Sequence, residues 1–71
     1  MSTVPSLVGK FKYAAWGEIS DAGFNGQHYD EGCTNLATLG YEGCVVERQN
    51  PAPGTSLAKG STVEIWLSNA P

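Results

Sequence analysis

Apolar residues recur along this chain in two rhythms, and each predicts a different element. Phe11, Ala15, Trp16, Ile19 and Ala22 fall at intervals of three and four, with Lys12, Glu18 and Asp21 between them. That spacing predicts one amphipathic helix of about three turns over residues 11–22. Gly17 in its interior costs up to roughly 1 kcal/mol relative to alanine, so packing has to hold the helix. Gly23 stands where a left-handed residue stops a helix, and Phe24 is placed to fold back onto the last turn.

The second rhythm is strict alternation. Val63, Ile65 and Leu67 face one way along residues 61–68, and Glu64, Trp66 and Ser68 face the other. Residues 44–49, Cys-Val-Val-Glu-Arg-Gln, are rich in β-branched side chains and predict another strand. Between the two lie Asn50-Pro51-Ala52-Pro53-Gly54 and a loop through Lys59-Gly60, a connection that suits an antiparallel pair. The segment Val4-Pro5-Ser6-Leu7-Val8 predicts a short edge strand beginning near a proline, and Gly9 permits a sharp change of direction. Residues 25–43 are irregular, with four glycines; within them, residues 35–39 fit a helical turn or a ragged strand equally. The order predicts a small α+β domain with the helix laid on one sheet face.

Seventy-one residues and 41% hydrophobic content bound this to one small domain, expected over residues 1–71. The formal charge of −3 argues against a nucleic-acid partner, which calls for a basic face. No stretch approaches the roughly 18 apolar residues of a membrane span. Met1-Ser2-Thr3 lack the basic and apolar regions of a signal peptide, so export is expected to rest on another segment. A large catalytic cavity would consume most of so small a core. His28 is expected on a surface loop without a nucleophile against it, and Ser6, Ser20, Ser56, Ser61 and Ser68 show no elbow motif. No catalytic residue, metal site or cofactor is therefore expected. A chain this short often carries a covalent staple, and Cys33 and Cys44 are even in number, but the count alone leaves a bridge and two thiols open.

The chain resembles the PASTA domain, the module associated with penicillin-binding proteins and serine/threonine kinases. Val4-Pro5-Ser6-Leu7-Val8-Gly9, then Ala15, Ile19 and Ala22-Gly23-Phe24, are similar to the family's V-P-x-L-x-G opening, its helix and its A-G-[LF] stop. Val45-Val46, Gln49, Pro51, Pro53-Gly54, Gly60-Ser61 and Val63-Glu64-Ile65 resemble its V-x-x-Q-x-P-x-P-G and G-S-x-V-x-[IL]. The resemblance covers residues 4–68, the expected core. It departs at Ser6, Phe11 and Ala14, where many members carry Asp, then Ser or Thr, then Glu. The helix start thereby lacks a capping box worth about 1 kcal/mol. The resemblance implies one α-helix packed on a three-stranded sheet, whose second strand falls within residues 25–41.

It also implies a non-enzymatic module on the cell-wall side of a membrane-anchored bacterial protein, an actinobacterial penicillin-binding protein in particular. The implied partners are peptidoglycan fragments or β-lactams, bound weakly by a domain that is a monomer in isolation. The competing function is a spacer or protein-interaction module that binds neither. In an exported domain Cys33 and Cys44 read as a disulfide; the alternatives are buried thiols, or a zinc site recruiting His28 or Asp30.

Three residues are candidate ligand contacts. Trp66 points away from the helix-covered face, where an indole can stack on a sugar; alternatively it packs on Phe24, Tyr29 or Tyr41. Arg48, the sole arginine, can hold a stem-peptide carboxylate, or pair on the surface with Glu47 or Glu64. Glu64 shares the outward face with Trp66 and completes the set. Trp16 is expected in the core beside Ala15 and Ile19.

Overall fold

The strand with the cleanest alternation becomes the centre of the sheet. In the computed structural model, which describes residues 1–70, the order is β1 (Ser2–Thr3), α1 (Lys12–Asp21), β2 (Asn25–Gly32) and α2 (Leu36–Leu39). A 3₁₀ turn (Gly40–Gly43) leads into β3 (Cys44–Asn50), β4 (Ser56–Leu57) and β5 (Thr62–Asn69). The main sheet runs β2-β5-β3, with β5 antiparallel to β3 and parallel to β2. Val63, Ile65 and Leu67 are almost fully buried on its inner face. Each such side chain contributes roughly 1.5–3 kcal/mol. They meet Ala15 and Ile19 of α1, together with Val4, Leu7, Phe24, Val46 and both cysteines, in one core. The helix thus covers one face of a three-stranded sheet, the expected α+β architecture.

The middle strand occupies the start of the window left for it, at β2. Its sequence, NGQHYDEG, offers no apolar alternation. Pairing with β5 orders it instead, through the register Gly26↔Val63, His28↔Ile65 and Tyr29↔Trp66. His28 consequently lies on a strand rather than on a surface loop. Residues 36–39 resolve as a helical turn, α2.

The edge strand expected over residues 4–8 is displaced. Strand β1 ends at Thr3 and pairs with β4 in a separate two-stranded sheet. Val4 still exchanges backbone hydrogen bonds with Thr55 and Gly54, both 2.8 Å, but Pro5 has no N–H to continue the ladder. Val8 falls in an exposed turn, and Gly9 takes φ 88° to redirect the chain. Residues 9–11 then cover the free edge of β3: the Gly9 amide donates to the Val46 carbonyl, and the Val46 amide to that of Lys10. Phe11 opens α1 with no side-chain cap, as the missing capping box implies. At the other end Gly23 adopts φ 87°, and the Phe24 amide closes on the Ile19 carbonyl at 3.1 Å.

Cys33 and Cys44 form a disulfide, with Cα atoms 5.8 Å apart. It ties the end of β2 to the start of β3, around the loop that holds α2 and the 3₁₀ turn.

Candidate functional site

Period-two geometry sends Glu64 and Trp66 to the sheet face opposite the helix, and the strand registers bring partners to them. Tyr29 of β2 lies beside Trp66, and Arg48 of β3 lies on its other side. The position of Arg48 depends on an irregularity in β3. Val46 pairs with Leu67, but Arg48, two residues on, pairs with Trp66, one residue back. This bulge inserts Glu47 as an extra residue and inverts the alternation beyond it. Without it, Arg48 would face the core and Gln49 the solvent.

The three side chains form a row across the strands. The rings of Tyr29 and Trp66 stack at 5.1 Å between centroids and 21° between planes. The Arg48 guanidinium carbon lies 4.3 Å from the Trp66 ring centre. Such a cation–π contact contributes roughly 0.5–1 kcal/mol at an exposed site. The indole is therefore flanked on both faces and presents its edge outward; of the three aromatic neighbours weighed for it, Tyr29 is the one it meets. Phe24 is in the core, and Tyr41 packs against Tyr13 and His28 instead.

Glu64 accepts the Tyr29 hydroxyl at 2.6 Å and, through its other oxygen, the Asn50 side-chain amide at 3.4 Å. This hydrogen bond, then burial, then the Glu64 charge hold the Tyr29 phenol above its ordinary pKa. Among the described residues no carboxylate lies within ion-pair distance of Arg48, neither Glu47 nor Glu64. The face thus places together the three candidate contacts, Arg48, Glu64 and Trp66, with one cation lacking an ionic partner.

A second cluster, on the helix side, was not legible in the sequence. Lys12, read as a polar position on α1, is only 8% exposed. Its Nζ lies 4.5 Å from the ring centre of Trp16, 4.4 Å from Tyr41 and 5.1 Å from Tyr13. Trp16 is half-buried against the core and meets His28 edge-on at 5.3 Å. His28 Nδ1 lies 2.7 Å from an Asp30 oxygen, and the Tyr41 hydroxyl donates to the other at 3.1 Å. Burial, followed by the Asp30 hydrogen bond and charge, raises the Tyr41 pKa. The one available signal was the spacing of Lys12 and Trp16, one helical turn apart. Beside Trp16 opens a groove of about 320 Å³, bounded also by Ile19, Phe24 and Gly26.

No curated protein and no solved structure matches this chain at a significant level. The family model described as the PASTA domain matches residues 2–69. That span takes in β1 through β5 and both clusters, and the chain belongs to the PASTA-domain family.

Proposed function

We infer from membership of the PASTA-domain family that this chain is a non-catalytic, extracellular binding and sensing module, of the kind linked to cell-wall peptidoglycan and β-lactams in penicillin-binding proteins and kinases. We propose that this chain is the extracytoplasmic module of a penicillin-binding protein, one domain over residues 1–71 and monomeric in isolation, that docks weakly onto peptidoglycan fragments. The observation that carries this reading is the outer row of Tyr29, Trp66 and Arg48, in which the guanidinium is oriented by the indole yet has no carboxylate partner among the described residues. A guanidinium so held is suited to a stem-peptide carboxylate, which it can take bidentately. Glu64, ordered by Tyr29 and Asn50, is placed to accept a hydroxyl or amide from the same ligand. The Trp66 ring faces are occupied, so the indole lends an apolar edge rather than a stacking platform.

The alternative, a spacer that binds no wall ligand, draws its support from that same closure of the indole faces. An NMR titration of the labelled domain with muropeptides and with a β-lactam separates the two. Binding predicts shifts clustered at Arg48, Glu64 and the Trp66 indole at millimolar ligand or below, lost in Arg48→Ala. A spectrum unchanged at several times that concentration excludes the docking role for the isolated domain.

A further inference from the structure

The helix-side cluster holds a cation that no described residue neutralises. Lys12 is more than nine-tenths buried, yet among the described residues its Nζ makes no ion pair and no hydrogen bond. An ammonium carries three donors, and burial without a partner is costly. Three aromatic rings surround it at 4.4–5.1 Å and supply cation–π attraction, but none accepts a conventional hydrogen bond. Every described side-chain nitrogen or oxygen that is shut off from solvent has a partner. The Lys12 ammonium has none, so it keeps an opening to water: the stem is buried and the head looks out through an aromatic rim.

The surroundings select what the head can receive. Asp30 stands one ring away, its oxygens engaged by His28 and the Tyr41 hydroxyl. It lies beyond ion-pair distance of Lys12, so the ammonium's charge is left to be met from outside. Tyr13, 62% exposed and with its ring beside the ammonium, offers aromatic surface to whatever body carries that charge. Neither residue belongs to the Arg48–Trp66 row, which lies on the opposite sheet face.

We propose that Lys12 and its aromatic rim form a second binding site, which takes the carboxylate of a ligand and lays the ligand's body against Tyr13. The site stands independently of the outer face, so failure of either leaves the other untouched.

The test follows the Lys12 side-chain NMR signals of the whole domain during titration at constant ionic strength. Glucuronate, glucose and inorganic phosphate are the probes. Glucuronate is expected to shift Lys12 and the Tyr13 ring saturably in the millimolar range, glucose to leave Lys12 unmoved, and phosphate, which has no body to lay against Tyr13, to bind at least about tenfold more weakly. Lys12→Arg is expected to keep the glucuronate response, and Lys12→Met to weaken it at least about tenfold while the outer-face signals stay in place. No saturable glucuronate shift, an equal response to glucose or phosphate, or undiminished binding by Lys12→Met would each overturn the proposal. The wild-type titration decides it even if the methionine variant does not fold.

Discussion

Gln49 reaches back 42 residues to Leu7: its Oε1 accepts the Leu7 amide at 2.7 Å. Its Nε2 donates to the Pro5 carbonyl at 2.9 Å and to that of Pro51 at 3.2 Å. One side chain thereby replaces the strand ladder that Pro5 interrupts and fixes Leu7 in the core. Gln49→Ala removes these bonds and leaves the Leu7 amide without its partner. We expect a loss of about 2–3 kcal/mol, since each net hydrogen bond contributes about 1 kcal/mol and an orphaned group adds its desolvation. Urea denaturation measures this; a loss below about 0.5 kcal/mol would show that the tether contributes little.

Two glycines should respond oppositely to alanine. Gly17 lies in the solvent-facing interior of α1, and an added Cβ would meet nothing within 4 Å. Gly17→Ala should stabilise by about 0.5–1 kcal/mol, raising Tm by several degrees. At Gly26 the same atom would come within 2.8 Å of the Trp16 ring. Gly26→Ala should cost about 1–3 kcal/mol and displace Trp16 from His28. Thermal melts report both signs, and the Trp16 indole signal reports the displacement.

The Cys33–Cys44 bridge closes a loop of 11 residues' separation. Chain-entropy reasoning assigns it about 3 kcal/mol, so a Cys33→Ala, Cys44→Ala variant should melt on the order of ten degrees or more below the wild type. Reductant should lower the wild-type midpoint and leave the variant unchanged. Uptake of two alkyl groups by the unreduced protein would refute the bridge.

Alkaline pH should destabilise the fold through Tyr29 and Tyr41. Both phenols have folded pKa values raised above the ordinary 10.0, Tyr29 chiefly by its hydrogen bond to Glu64 and Tyr41 chiefly by burial. The folded state then holds these protons more tightly than the unfolded state. Their stabilisation is intact below pH 10.0 and is lost as pH rises through the elevated values. Tyr29→Phe should flatten that decline, as read from denaturation midpoints between neutral and strongly alkaline pH. An unaltered slope would remove Tyr29 from the account.

The residues around the β3 bulge show where sequence reading stops. Cys44 and Val46 face the core, and simple alternation would continue inward with Arg48. The structure turns Arg48 outward and Gln49 inward, because one extra residue against β5 shifts the parity. No local preference in Glu47-Arg48-Gln49 announces this. The bulge satisfies two distant demands together, the Gln49 bonds to Pro5 and Leu7 and the seat of Arg48 beside Trp66. Lys12 is the parallel case on the helix. Its long apolar stem lets a formally polar position be buried once the rings of Trp16 and Tyr41 stand around it.

By itself the sequence determined the helix from its apolar spacing, its stop at Gly23, the antiparallel pair of β3 and β5, and the outward direction of Glu64 and Trp66. All of these follow from local sterics and from periods of 3.6 and 2 that need no distant partner. Tertiary structure alone decided that a polar segment becomes β2, parallel to β5, that a bulge exposes Arg48, and that Tyr41 closes an aromatic rim around Lys12. Those outcomes rest on backbone pairing and side-chain contacts between residues far apart in the chain, whose energies do not register in any short window of it.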